Sequence, residues 1–365
     1  MDNAKKFACD ILVNPTDEKF AEKRRLFQGC PTLAVTPKGR IYAGWYSGGT
    51  CEPHMGNYNL LVYSDDGGES WSMPVLVIPS DKQRLIHALD IQLWTAPDGA
   101  LHVYWVQNNV KVAPEILPQA KKDQPLVAVE GYLFDDFVHA CWEIVCRNPD
   151  DVTPVFTQPR YLDKGFLRCK PLVMADGTYL NFNYDQTSPD YGYSISADKG
   201  ETYVHRYGAK KLTTMFDESM AYTLQNGAVR MLARSSLGFL AESYSYDNGR
   251  TWSEARLSDI PNPDTRFYVS RTPSGRVLLV NNDDGRTRTN MSAWLSDDDG
   301  KTWAHKCCLD DRDDISYPDA DFYGGEIYLI YDRERCGARE ILFARFTEDD
   351  IVRGADIRPR VISKP

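Results

Sequence analysis

Charged and hydroxyl-bearing side chains recur in this 365-residue chain at places where strand-like runs ought to be apolar. Glu218 opens the run "ESMAYTLQNGAVRMLAR" and Arg234 ends it. Arg266 heads "RFYVSRTPSGRVLLVNN", Arg286 and Arg288 stand in "RTRTNMSAW", and Tyr317 heads "YPDADFYGGEIYLIYD". Arginine presents a planar donor fork that matches a carboxylate, so Arg234, Arg266, Arg286 and Arg288 predict a site facing an anionic ligand. Upstream, His87 and Asp90 lie in "IHALDIQLW", and Glu52 and His54 in "GTCEPHMGN". Imidazole and carboxyl groups move protons near neutral pH, so these residues are candidates for acid–base work.

Such residues need strands to carry them, and the chain repeats one device. An apolar strand, a turn ending in glycine and a second apolar strand recur around Gly39, Gly99, Gly177, Gly227, Gly275 and Gly325. At one fixed distance before these glycines stand Cys30, Asp90, Arg168, Glu218, Arg266 and Ser316, with Tyr317 one place later. At another fixed distance after them stand Tyr46, Val106, Tyr184, Arg234, Asn282 and Asp332.

A second landmark follows the hairpins: "YSDDGGESW" at 63–71, "ISADKGETY" at 195–203, "YSYDNGRTW" at 244–252 and "LSDDDGKTW" at 295–303. In this S-x-D-x-G-x-T-W box the glycine permits positive φ, the aspartate accepts hydrogen bonds from turn amides, and the tryptophan buries its ring. Its acids, Asp297, Asp298 and Asp299 included, therefore read as turn-makers. Repetition every 50 or so residues marks a propeller or solenoid. The prediction is an all-β fold: one six-bladed β-propeller over 1–365, with four-stranded antiparallel blades and insertions at 47–58 and 107–139. The longer insertion is placed to cover a pocket or meet a neighbouring subunit. The second and sixth blades carry degenerate boxes, "NPDD" and "FTEDDI", and either "DILV" or "PRVIS" should complete the last blade.

Composition supports this reading, with 21 Tyr, 14 Phe, 25 Gly and 21 Pro suiting strands and tight turns. A net charge of −10 speaks against nucleic acid or an acidic membrane as partner. The N-terminus shows no apolar signal-type segment and no run approaches a membrane span, so the expectation is a cytoplasmic protein. Nine scattered cysteines form no complete zinc pattern, and no phosphate-binding glycine loop follows a strand, so neither metal nor cofactor is predicted.

On these residues the chain resembles the sialidase (neuraminidase) superfamily, whose Asp boxes the repeated turn is similar to. The resemblance implies a glycoside hydrolase acting on an acidic oligosaccharide. It maps a base onto Glu218, a tyrosine nucleophile onto Tyr317, and substrate-binding arginines onto Arg234 and Arg288, with Arg286 the alternative to the last. A tyrosine suits a sugar acid because a carboxylate nucleophile would be repelled. Arg333, in the last-blade segment, joins the substrate-binding set. Sialidases open with an Arg-Ile-Pro motif whose arginine helps clamp the carboxylate; here "FQGCP" puts Gln28 at that position, with Arg24 or Arg25 nearby to compensate. Glu52, His54, His87 and Asp90 are the candidates to protonate a leaving group.

Two other readings use the same residues. A lyase acting at a uronic acid needs its carboxylate neutralised and the C5 proton moved, work suited to Gln28, Arg266, His87 and Tyr317. A non-catalytic glycan-binding propeller would stack sugars on Trp45, Tyr46, Trp94 or Trp105.

Overall fold

The structure, a computed structural model, describes residues 8–111, 115, 118, 122, 133–134, 140–213 and 216–365. The expectation placed on the 107–139 insertion falls largely outside these residues. The fold is mostly β, a six-bladed propeller of four-stranded antiparallel blades. No helix among the described residues is long and apolar enough to cross a membrane.

Two compact units make up the chain: Met1–Lys164 with Asp332–Leu342 and Val361–Pro365, and Gly165–Tyr331 with Phe343–Arg360. In the first unit, strands Phe27–Val35, Ile41–Gly48, Tyr58–Ser64 and Leu76–Pro79 pair in sequence order, and Leu12–Val13 adds to the outer edge. All nine residues of Phe27–Val35 are buried, as expected of a strand covered on both faces. The next sheet runs Ile86–Thr95, Leu101–Lys111, Ala140–Cys146 and Arg160–Lys164. Leu93, Val103, Trp105, Trp142 and Ile144 form its core with Leu61 and Leu76.

In the second unit the third blade is interrupted. Phe166–Leu167 pairs with Asn183–Tyr184, apart from the sheet of Leu172–Val173, Tyr179–Asn181, Asp190–Ser196 and Val204–Lys210. The fourth sheet, Ser219–Thr223 to Arg256–Pro261, and the fifth, Tyr268–Arg271 to His305–Asp310, are regular. The sixth orders Ile315–Tyr323, Glu326–Arg333, Glu340–Phe346 and Arg360–Ser363. Of the two segments proposed to complete the last blade, "PRVIS" does so, whereas "DILV" joins the first.

The boxes do structural work. Ser296 Oγ accepts from Gly300 N at 2.7 Å and donates to Asp298 Oδ1 at 2.8 Å, while Asp298 accepts from Thr302 N and Oγ1, both at 2.8 Å. The same closures recur around Asp66, Asp198 and Asp247. Asp297 and Asp299 are engaged elsewhere, by Arg276 and Arg271. Trp252 packs edge-on against Phe182 and Tyr193, ring centroids 5.8 and 5.9 Å away. Where the sixth blade's box is degenerate a short helix, Glu348–Arg353, takes its place, entered through a Thr347–Asp350 capping box.

Candidate active site

The second unit gathers Arg168, Glu218, Arg234, Asp264, Arg266, Arg288 and Tyr317. Tyr317 has φ of 58° and precedes Pro318 in the first strand of its sheet. A left-handed residue inside a strand breaks the alternation of side chains, as a bulge does, and re-aims the one it carries. Cys30 and Asp90, at equivalent positions in the first unit, share this conformation at 54° and 59°, with register breaks between Gly29 and Thr32 and between Leu89 and Gln92. Two of the aligned positions, and Tyr317 one place beyond a third, are thus set by the backbone.

Arg266, 1% exposed, holds the Tyr317 turn from behind. Its Nη2 donates to the Tyr317 carbonyl at 3.0 Å and its Nη1 to the Arg168 carbonyl at 3.1 Å. The guanidinium carbons of Arg266, Arg168 and Arg288 lie 5.0, 5.4 and 5.8 Å from the Tyr317 ring centre. Arg234 Nη1 donates to Glu218 Oε2 at 2.9 Å and to the Tyr317 hydroxyl at 3.1 Å, and its Nε to Asp264 Oδ1 at 2.5 Å. Arg288 Nη2 donates to the Asp264 carbonyl at 3.0 Å. Asn282 Nδ2, reaching the carbonyls of Thr289 at 2.9 Å and Ile315 at 3.0 Å, fastens the Arg288 segment to the strand that bears Tyr317.

Burial disfavours the Glu218 carboxylate, but the guanidinium groups of Arg234, Arg168 and Arg266 outweigh it and hold the carboxyl below its ordinary range. For Arg234 burial likewise opposes the charge, and Tyr317, Glu218 and Asp264 overcome it. The neighbouring Asp217 behaves oppositely: burial pushes its carboxyl up to about 7 although Lys211 Nζ stands 2.8 Å away. The cluster can hold an anion beside the Tyr317 phenol.

The structure brings together Glu218, Arg234, Arg266, Arg288 and Tyr317 of the sequence-predicted set. Arg286 is exposed, its backbone N–H donating to Asp284 Oδ1 at 2.6 Å. Arg168 stood at an aligned position without an assigned role. Asp264 and the buried Lys170–Asp319 pair, at 2.7 Å, were not foreseen. No short-range pattern marks them, because each is defined by a partner far along the chain.

The remaining candidates belong to the first unit. The Tyr46 hydroxyl and His87 Nε2 lie 2.6 Å apart, both residues 0% exposed, and burial raises the Tyr46 phenol well above its ordinary range. Asp332 Oδ2 accepts from Cys30 N at 2.7 Å and from Arg335 Nε at 2.9 Å, and Arg335 Nη1 is 3.5 Å from Glu52 Oε2. One ligand atom each from Cys30, Glu52 and Asp90 fall within 4.8 Å of one another, a mixed thiol and carboxylate set beside the Arg335 charge. His54 is buried, its Nδ1 accepting from Gly56 N at 2.9 Å, and lines a cleft of about 650 Å³ with Phe20, Arg24, Tyr58 and Lys82. Arg333 pairs with Glu334 and Glu340. Gln28 is 0% exposed and bonded to Trp45, Ser363 and the Arg339 carbonyl.

The family model of the BNR repeat-like domain matches residues 39–326. No curated protein matches the sequence. Similar solved structures include a protein of unknown function from Dyadobacter fermentans DSM 18053, at 19% identity and a TM-score of 0.66, covering 90% of this chain and 94% of that one. The intramolecular trans-sialidase from Ruminococcus gnavus, solved in complex with oseltamivir carboxylate, is 14% identical with a TM-score of 0.69, over 94% and 98% of the two chains. The NanB sialidase from Streptococcus pneumoniae is 14% identical with a TM-score of 0.67, over 94% of this chain and 71% of that one. At such identities the likeness is one of fold.

Proposed function

The chain belongs to the BNR repeat-like domain family, and from that premise we propose that it is a glycoside hydrolase of sialidase-like type, releasing from an oligosaccharide a terminal acidic sugar or a sugar linked to one. The observation that carries this reading is the meeting of Glu218, Arg234 and Tyr317 at one guanidinium nitrogen. Tyr317 attacks the anomeric carbon, its phenolate stabilised by Arg234, and Glu218 serves as the base. The glycosidic bond breaks as the bond to Tyr317 Oη forms, Glu218 taking the phenol's proton and the departing sugar oxygen taking one from solvent; water then attacks the same carbon, loses a proton to solvent and releases the sugar, while Glu218 returns its proton to the tyrosine. Arg234 and Arg288 orient the sugar through its carboxylate. The solved sialidases of the same fold lend support to an acidic glycan as substrate.

A second reading, a lyase acting at a uronic acid, draws on the Tyr46–His87 pair, a buried phenol and imidazole in hydrogen-bond contact and suited to moving a C5 proton. One experiment separates the two. The protein is incubated with sialyl, glucuronyl and rhamnosyl-glucuronyl oligosaccharides while near-ultraviolet absorbance and released sugar are followed. Released sugar without absorbance supports the hydrolase. An unsaturated, absorbing product overturns it for the lyase, and turnover of none of them overturns both.

A further inference from the structure

Arg24 and His54, two sequence candidates with no part in the Tyr317 cluster, line one cleft of about 650 Å³ in the first unit. Small-molecule sites have volumes of this order. Of the two arginines expected to compensate for Gln28, Arg25 is engaged inside the fold: it is 4% exposed and donates to Ser363 Oγ at 3.1 Å and the Phe20 carbonyl at 3.3 Å. Arg24 is exposed, and among the described residues no acid pairs with its guanidinium.

One wall of the cleft is a braced loop. Gly49 N donates to Asn57 Oδ1 at 2.6 Å and Asn57 Nδ2 to the Cys51 carbonyl at 2.9 Å, so the segment closes on itself. Inside it the buried His54 accepts from Gly56 N at 2.9 Å, and Gly49 packs so close that a Cβ there would stand 2.2 Å from His54 Nδ1. A wall held in this way is formed before any ligand arrives, which lowers the ordering cost of binding.

The rest of the lining is of two kinds. Leu26, Met55 and Pro79 supply apolar surface, with Leu26 51% exposed. Lys19, Arg24 and Lys82 supply positive charge, against Glu18 as the acid of the lining. Lys19 pairs with Asp17 at 3.0 Å and Glu18 with Lys23 at 3.2 Å, so those two charges are met locally. Arg24 therefore stands out as a cation in a cleft of a chain whose net charge is −10. A sugar acid matches such a lining, with a C–H face for the apolar surface, hydroxyls for main-chain groups and the Thr50 hydroxyl, and a carboxylate for a guanidinium fork.

We propose that this cleft is a second, non-catalytic binding site for an acidic oligosaccharide, in which Arg24 takes the carboxylate and the loop braced by Asn57 and His54 takes the sugar ring. The choice of a glycan rests on the acidic-substrate reading above; the preference for an anion comes from the cleft itself.

The test follows amide hydrogen exchange in the Tyr317→Phe protein with sialyl and glucuronyl trisaccharides, with their carboxyl-reduced neutral counterparts, and with inorganic phosphate. At least one acidic trisaccharide at millimolar concentration should slow exchange across residues 47–58, and its neutral counterpart should not. Adding Arg24→Glu should weaken that binding about tenfold or more, the value of one hydrogen bond to a charged group, and Arg24→Lys should keep part of it. Unchanged exchange with every acidic trisaccharide overturns the proposal, as does equal protection by the neutral sugars or an Arg24→Glu protein that binds as before. Phosphate protecting as well as the trisaccharides overturns the glycan in favour of a simple anion. Exchange in the strand Ile315–Tyr323 reads the other site at the same time. Protection at 47–58 without protection there leaves the cleft standing and counts against the hydrolase reading, and the reverse sinks the cleft alone.

Discussion

The Nη1 of Arg234 lies 3.1 Å from the hydroxyl of Tyr317, and the same nitrogen reaches Glu218 at 2.9 Å. A carboxylate, a phenol and a cation therefore share one hydrogen-bonding point in a setting 7% exposed at most. The proposed chemistry draws on all three.

Replacing Tyr317 by Phe removes the proposed nucleophile while keeping the ring that Arg168, Arg266 and Arg288 face. Turnover should fall by about three orders of magnitude, with the melting temperature nearly unchanged. Released sugar per folded molecule, alongside a circular dichroism melt, reads both, and retained turnover in a folded Tyr317→Phe protein rules out the tyrosine mechanism.

Arg234→Met takes from the buried Glu218 carboxylate its 2.9 Å partner and leaves it the longer Arg168 contact, a change worth up to about 3 to 5 kcal/mol for a buried pair. Adding Glu218→Gln removes that charge. The double variant should then be more stable than Arg234→Met alone, by denaturant unfolding. Additive losses mean that the two side chains are not coupled.

Asp217 supplies a pH signature. Its carboxyl is raised from 3.8 to about 7 by burial, so the folded state holds its proton more tightly than the unfolded state. That contribution is present below about pH 4 and is lost as pH rises toward about 7, amounting to about 4 kcal/mol in all. In Asp217→Asn the difference from wild type should therefore change across this window and be flat above it. Urea unfolding from pH 4 to 8 measures it, and parallel curves exclude a raised Asp217.

The box aspartates run the other way. Hydrogen bonds from Thr302 and Ser296 hold Asp298 down to about 2, so its contribution is present above about pH 4 and lost as pH falls toward 2. Ser296→Ala, which removes a fully buried hydroxyl from the same turn, should cost about 1 kcal/mol. Turnover per folded molecule should stay at the wild-type level. A selective loss of turnover would give the box a chemical role.

The turn glycines served as a ruler because each blade repeats one hairpin; the ruler landed on Cys30 and Asp90 and, at Ser316, one place short of Tyr317, and Cys30, Asp90 and Tyr317 share a left-handed backbone. Glu218 and Arg234 were legible for the same reason, standing on either side of one hairpin, where Arg234 N donates to the Glu218 carbonyl at 2.9 Å. Arg168 and Asp264 were not, since their roles come from contacts with Glu218 and Arg234 on other strands, and only packing makes such neighbours. Gln28 was legible as the residue standing where the resemblance expects an arginine, but its bonds to Ser363 join residues 335 positions apart in the sequence. The "FTEDDI" segment was read as a weakened box because its acids match, whereas the Thr347 cap turns them into the first turn of a helix.

Ser363 lies in the strand that adds to the sixth sheet, with its Oγ 2.5 Å from Glu22 Oε1 and 3.1 Å from Gln28 Oε1. During synthesis the N-terminal strands leave the ribosome long before this residue does, so they wait with Gln28 and Arg25 lacking their Ser363 contacts. The Gly165–Tyr331 stretch, which carries the whole arginine cluster, can begin to pack in the meantime. The unit that holds Gln28 and Arg25 is thus completed late, and a protease that removes the strand Arg360–Ser363 would undo the fastening of both residues.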